Sequence, residues 1–264
     1  MEMVINGQTA YAATGGRAHG AGKPLAVFIH GAGFDHTAWA LQSRWLAFRG
    51  WNVLAVDLPG HGRSAGPALD SIDGMAQWVL ALIAASGAEQ VALIGHSMGS
   101  LIALEAAALA PQRVQRLLLV GAAAAMPVHP DLLAAAQANH PDAIAMVNIW
   151  GHGYRAGLGG SAAPGLWMTG SGARILARAQ PGVLHRDLAA CNAYSGALTA
   201  AAKIKSSTLI LAGERDQMTP LKGARQLTSA IANARLVTVP AAGHMLMVES
   251  PDELLAAMRS LLLD

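Results

Sequence analysis

Gly95-His96-Ser97-Met98-Gly99 places a serine between two glycines, where the apolar run Val91–Ile94 gives way to a helical stretch beginning near Ser100. A strand that enters a helix through G-x-S-x-G predicts a sharp turn exposing the serine hydroxyl at the strand's C-terminal end. The flanking glycines let neighbouring backbone come close, and the helix N-terminus favours negative charge beside it. A serine hydroxyl is a weak nucleophile until a base takes its proton. Ser97 therefore requires a histidine, and an acid to orient that histidine.

In a strand–turn–helix site of this kind the chain order is serine, acid, histidine. Two histidines follow residue 180. His185 lies in a helix-like stretch, whereas His244 lies in Pro240-Ala241-Ala242-Gly243-His244, a loop after the apolar run Leu236–Val239. That loop predicts an imidazole at the same sheet edge as Ser97. Asp216, in Gly213-Glu214-Arg215-Asp216 after the run Thr208–Ala212, is the expected acid, with Glu214 as its rival. The loop after Leu117–Val120, Gly121 to Ala125, offers no carboxylate. Attack on a carbonyl creates an oxyanion that needs positioned backbone N–H donors. The expected donors are Met98, next to the nucleophile, and Ala32 in His30-Gly31-Ala32-Gly33, with Gly33 as the alternative.

These residues need a frame to hold them at one edge. Asn6-Gly7 between two short β-like runs, Met3–Ile5 and Thr9–Ala12, predicts a hairpin. Apolar runs at Leu25–His30, Val53–Val56, Val91–Ile94 and Leu117–Val120 then alternate with helical stretches Trp39–Arg49, Ser71–Ala85 and about 100–110. Runs apolar on both faces, separated by helices, predict βαβ units and a parallel sheet covered on both sides. From about residue 122 to 199 no strand is expected, only helices at Asp131–Ala138, Ala173–Ala179 and Leu188–Thr199 around a Gly/Ser-rich middle. The alternation resumes with strands Thr208–Ala212 and Leu236–Val239 and helices Leu221–Ile231 and Pro251–Leu263.

Composition narrows the class. The chain has 264 residues, 53% of them hydrophobic and only 13% charged, which excludes a disordered chain. A net charge of +2 with no Lys/Arg cluster gives no electrostatic case for nucleic acid or an anionic membrane. No apolar stretch reaches the roughly 18 residues of a membrane span, and the N-terminus has no basic region followed by an apolar one. With the single cysteine Cys191, the expectation is a cytoplasmic protein without a disulfide framework.

The chain resembles the α/β-hydrolase superfamily. The resemblance rests on His30-Gly31-Ala32-Gly33, Asp57-Leu58-Pro59-Gly60-His61-Gly62-Arg63-Ser64, Gly95 to Gly99, Gly213 to Asp216, and Gly243-His244 with Glu249 and Pro251 behind it, in the family's order. It implies an α/β fold with a mostly parallel eight-stranded sheet flanked by helices. It implies a core of residues 1–121 and 200–264 with a helical cap at 122–199 inserted after the sixth strand. It also implies a Ser97–His244–Asp216 triad and no cofactor. His30, His61 and His96 read as scaffold rather than bases.

The cap should shape a pocket. Gly31, Gly33, Trp150, Trp167, Met168 and Met245 are the expected lining, and Met126, Met146, Tyr154, Leu158 and Leu166 add apolar surface. Six glycines between residues 153 and 170 read as a lid loop. His129, His140 and His152 lack metal-ligand spacing, so no metal is expected. Arg155 reads as a solvated surface residue and Cys191 as a small buried hydrophobe. The expected activity is hydrolysis of a small, largely apolar ester or lactone. A serine nucleophile disfavours dehalogenase and epoxide-hydrolase chemistry, which in similar proteins uses aspartate. The alternatives are a C–C bond hydrolase, a cofactor-free perhydrolase and a slow ligand receptor.

Overall fold

A computed structural model describes all 264 residues. Strands β1 (Glu2–Ile5) and β2 (Gln8–Ala13) form an antiparallel hairpin. Its turn places Asn6 and Gly7 at φ 49° and 77°, the conformation that Asn-Gly supplies at least cost. There follow β3 (Leu25–Ile29), α1 (Ala40–Ala47), β4 (Asn52–Val56), α2 (Ile72–Ala85), β5 (Val91–His96), α3 (Met98–Leu109) and β6 (Val114–Val120). Between β6 and the next strand stand only helices: α4 (Pro130–Gln137), α5 (Pro141–Gly151), α6 (Tyr154–Gly157), α7 (Met168–Leu176), α8 (Val183–Ala193) and α9 (Ala197–Ala201). The chain closes with β7 (Ser207–Gly213), α10 (Leu221–Ala230), β8 (Arg235–Val239), α11 (Leu246–Glu249) and α12 (Pro251–Leu262).

The eight strands form one sheet in the order β1-β2-β4-β3-β5-β6-β7-β8. Pairings from β4 through β8 are parallel, and β2 joins β4 antiparallel. Every residue of β3 is buried. Val27 and Ile29 face the core that includes α2 and α3, while Ala26 and Phe28 face the core that includes α1 and α12. The unbroken apolar runs in the sequence thus reflect a sheet buried on both faces. The parallel strands bring the loops after β3, β5, β7 and β8 to one edge, where open α/β sheets bind ligands.

Local chemistry explains where the helical segment departs from expectation. α5 has no counterpart among the expected helices. It begins, like α4, with His-Pro-Asp: His129 and His140 cap the two helices by accepting from the N–H groups of Asp131 and Asp142, with proline at the first helical position. The helix expected over Leu188–Thr199 is two helices, separated at Tyr194-Ser195-Gly196, and the second of them packs on α3 and α10. The expected boundary near residue 199 therefore falls inside α9, a helix that packs with the core. The glycine-rich stretch runs through α6 and an irregular segment into α7, which starts at Met168 rather than Ala173.

Candidate active site

Ser97 joins β5 to α3 with φ 54° and ψ −121°, a backbone state that non-glycine residues avoid. Two glycines make the turn sterically feasible. A Cβ on Gly95 would lie 2.1 Å from the Gly99 carbonyl oxygen, and one on Gly99 would lie 2.2 Å from that of Ile29. The strained position is held by backbone bonds, with Ser97 N–H donating to Val120 O at 2.9 Å and Ser100 N–H donating to Ser97 O at 2.8 Å.

His244 follows β8 and is buried, as is Asp216 after β7. His244 Nδ1 lies 2.8 Å from Asp216 Oδ2 and 3.1 Å from Thr219 Oγ1. Thr219 Oγ1 itself donates to Asp216 Oδ2 at 2.6 Å. Asp216 Oδ1 accepts from the backbone N–H groups of Met218 at 2.9 Å and Thr219 at 2.7 Å. These donors fix the carboxylate, and the carboxylate fixes the proton on His244 Nδ1. Nε2 has no hydrogen-bond partner and is left with its lone pair. Burial opposes the charge on Asp216, but His244 and the hydrogen bonds outweigh it and hold the carboxyl below its ordinary range. The rival carboxylate, Glu214, points away: it accepts from Ala241 N–H in an exposed loop.

The two expected oxyanion donors differ from the alternative in their hydrogen bonding. The N–H groups of Ala32 and Met98 bond to no protein acceptor. Gly33 N–H instead donates to Asp187 Oδ2 at 2.8 Å. Gly33 N–H is therefore occupied, whereas Ala32 N–H is free.

Two further buried histidines lie beside this centre. His96 Nε2–H donates to the His244 carbonyl at 3.0 Å, and the two rings lie 4.7 Å apart. Burial and the neighbouring His244 push His96 down to about 3, so it is neutral near pH 7. His30 donates from Nδ1 to Gly31 O at 2.9 Å and accepts Leu58 N–H at Nε2 at 3.2 Å. Burial, with His61 nearby, lowers it to about 4. Neither is poised to accept a proton. Asp35, His36 and Asp57 cluster elsewhere, but their donor atoms already serve the protein. Asp57 binds the His36 ring, and Asp35 binds Arg178 and Thr37.

Ser97 and His244 open on one cavity of about 260 Å³. Gly31, Ala32, His96, Trp150 and Met245 line it, together with Met126, Leu132, Val147, Leu184, Leu188 and Cys191. No arginine, lysine, aspartate or glutamate side chain lines it. Burial raises the Cys191 thiol well above its ordinary value, so the cysteine is an inert apolar contact. Three expected lining residues lie elsewhere. Gly33 faces away because its N–H is held by Asp187 and its Cα is packed against Leu176 and Leu184. Trp167 is 71% exposed, since it precedes α7 and lies over Gly170. Met168 is buried beside a separate small cavity with Leu166, His152 and Met247. Tyr154 and Leu158 are exposed.

Sequence reasoning missed Thr219 and Asp187, and gave Glu249 no task. Glu249 accepts from Gly153 N–H at 2.8 Å and Gly243 N–H at 3.1 Å, tying the His244 loop to the end of α5. Asp187 carried a readable signal: a carboxylate between Leu184 and Leu188 on the apolar face of a helix.

Residues 26–257 match the alpha/beta hydrolase family. A putative carbamate hydrolase, RutD, from Pseudomonas savastanoi pv. phaseolicola is 28% identical over 245 residues, covering 89% of this chain and 92% of that one. The dihydrolipoyllysine-residue acetyltransferase component of the acetoin cleaving system of Pseudomonas putida is 43% identical over 104 residues. That match covers 39% of this chain and only 27% of the acetyltransferase component. The crystal structure of the enol-lactonase from Burkholderia xenovorans LB400 superposes with a TM-score of 0.87 over 100% of both chains at 23% identity, a likeness of fold.

Proposed function

The chain belongs to the alpha/beta hydrolase family, and from that premise we propose that it is a serine hydrolase of small, uncharged, largely apolar carboxylic esters or lactones. The observation that carries this reading is that Ser97, on its strained turn, and His244, held by Asp216, open on one largely apolar cavity lined by no arginine, lysine, aspartate or glutamate. The segment from residue 122 to the end of α8 acts as a cap that supplies half of the residues lining the cavity.

Ser97 Oγ attacks the carbonyl carbon while its proton passes to His244 Nε2. The N–H groups of Ala32 and Met98 bind the oxyanion, and Asp216 stabilises the imidazolium. Collapse breaks the bond to the leaving oxygen, which takes the proton from Nε2. Water then gives a proton to Nε2 and attacks the acyl carbon. Collapse of that second intermediate frees the acid, and Ser97 Oγ recovers the proton. A lactone follows the same steps, with its alcohol remaining tethered to the acyl group.

A carboxylate-bearing substrate, such as the dienoate of a C–C bond hydrolase, would find no arginine or lysine in the cavity wall. The test is hydrolysis of p-nitrophenyl butyrate and of a neutral aliphatic lactone by wild type and Ser97→Ala. Turnover of both by wild type, absent in the variant, supports the reading. Turnover that survives Ser97→Ala contradicts it.

A further inference from the structure

α8 carries a carboxylate on the face that lines the cavity. Leu184, Asp187, Leu188 and Cys191 follow the i, i+3, i+4, i+7 spacing of one helical face, and the three apolar members contact the cavity. Asp187 is completely buried. Its Oδ2 accepts two hydrogen bonds, from Gly33 N–H at 2.8 Å and from His61 Nε2–H at 2.8 Å. His61 Nδ1 lies 3.0 Å from the Pro59 carbonyl. Both ring nitrogens thus face acceptors, the arrangement that suits an imidazolium. Burial opposes that charge, but Asp187 outweighs it and keeps the His61 pKa above its ordinary value.

The peptide held by this pair is next to the oxyanion site. Gly33 follows Ala32, and Gly33 N–H is the link from that loop to α8. The contact is also steric, because a Cβ on Gly33 would lie 2.9 Å from Leu184 Cδ1. One helix face therefore both forms the acyl wall and grips the loop that carries an oxyanion donor.

The structure assigns Asp187 the role of a positioning residue: by holding Gly33 N–H it sets the direction of Ala32 N–H, and through α8 it couples filling of the acyl cavity to that geometry. This rests on the reading of Ser97 as nucleophile and Ala32 as oxyanion donor. Binding energy from the acyl chain is then used in the transition state, so a longer acyl group raises kcat as well as lowering KM.

The test uses the full chain and Asp187→Leu, which occupies the same place and leaves Gly33 N–H without its acceptor. Steady-state rates are measured with p-nitrophenyl acetate and butyrate, and inhibition with butylboronic acid, which forms a tetrahedral adduct, and with butyrate, which does not. The expected result is a fall in kcat for the butyrate ester of about ten- to a hundredfold with KM within about twofold. Boronate affinity should fall by a similar factor, butyrate inhibition should be unchanged, and the preference in kcat for butyrate over acetate should shrink. Should Asp187→Leu not fold, the double variant Asp187→Leu/His61→Leu also removes the imidazole left without its carboxylate and is read in the same way. Unchanged kcat and boronate affinity would overturn the assignment, as would a loss confined to KM and butyrate inhibition. A fully active wild type with such a variant removes this inference alone. A wild type that neither turns over esters nor reacts with a fluorophosphonate removes the functional reading and this inference together.

Discussion

His244 Nδ1 lies 2.8 Å from Asp216 Oδ2, and that carboxylate is itself fixed by the hydroxyl and N–H of Thr219 and the N–H of Met218. The arrangement keeps the ring proton on Nδ1 and the basic lone pair on Nε2. Asp216→Asn can present its NH₂ group to Nδ1 and so favour the opposite tautomer. Its kcat should fall by about 10³–10⁴-fold with the fold intact. Thr219→Val, which leaves the carboxylate in place with one hydroxyl fewer, should cost only about tenfold. Steady-state kinetics beside a circular dichroism melt checks both.

Ser97 occupies its positive φ at an energetic cost that folding does not require and that the proposed nucleophile role accounts for. Ser97→Gly relieves it and should raise stability by about 1–2 kcal/mol while abolishing turnover. Ser97→Ala, which retains a Cβ, should abolish turnover without that gain. Gly95→Ala should fail to fold normally, because its Cβ meets backbone rather than a side chain that can move. Urea unfolding curves compare the three.

Acid should weaken the fold well before the carboxylates protonate. His96 and His30 are lowered to about 3 and about 4 in the folded chain, whereas unfolded histidine takes up a proton near 6.5. The unfolded state therefore binds more protons below about pH 6, and stability falls as pH falls from there towards 4. His61 has the opposite sign. Its raised pKa contributes stability that is complete below the unfolded value and lost as pH rises through the folded one. Unfolding free energy measured between pH 4 and 6 should change with a slope approaching two protons, and His30→Gln should remove about one of them.

A cavity wall without arginine or lysine should discriminate by charge. Between p-nitrophenyl butyrate and the p-nitrophenyl monoester of succinate, kcat/KM should favour butyrate by about a hundredfold or more, because the free carboxylate must be desolvated without a partner. Leu188→Arg, which puts a cation on the α8 wall, should narrow that ratio. Comparable rates on both esters in wild type would contradict the charge argument.

What could be read from the sequence followed the range of the interactions involved. β3 and β5 were legible because a strand buried on both faces leaves an unbroken apolar run, and the Ser97 turn was legible because Gly95 and Gly99 meet backbone. The partnership of Asp187 with Gly33 spans 154 residues and leaves no local pattern. It nevertheless settles which of Ala32 and Gly33 has a free N–H. Trp167 and Met168 were misplaced because large apolar residues in a helical segment do not reveal which helix face meets the cavity. α5 has no counterpart among the expected helices, although proline at its first position, after His140, is a helix-start signal.

The central claim is that Ser97 carries the acyl group. The most direct measurement is intact-protein mass spectrometry after rapid acid quench of wild type and Ser97→Ala mixed with p-nitrophenyl butyrate, with peptide mapping of any adduct. The account predicts one butyryl group per wild-type chain, mapped to Ser97, formed within the burst of p-nitrophenol and absent from the variant. Burst and turnover without a covalent adduct, or an adduct that persists in Ser97→Ala, would contradict it.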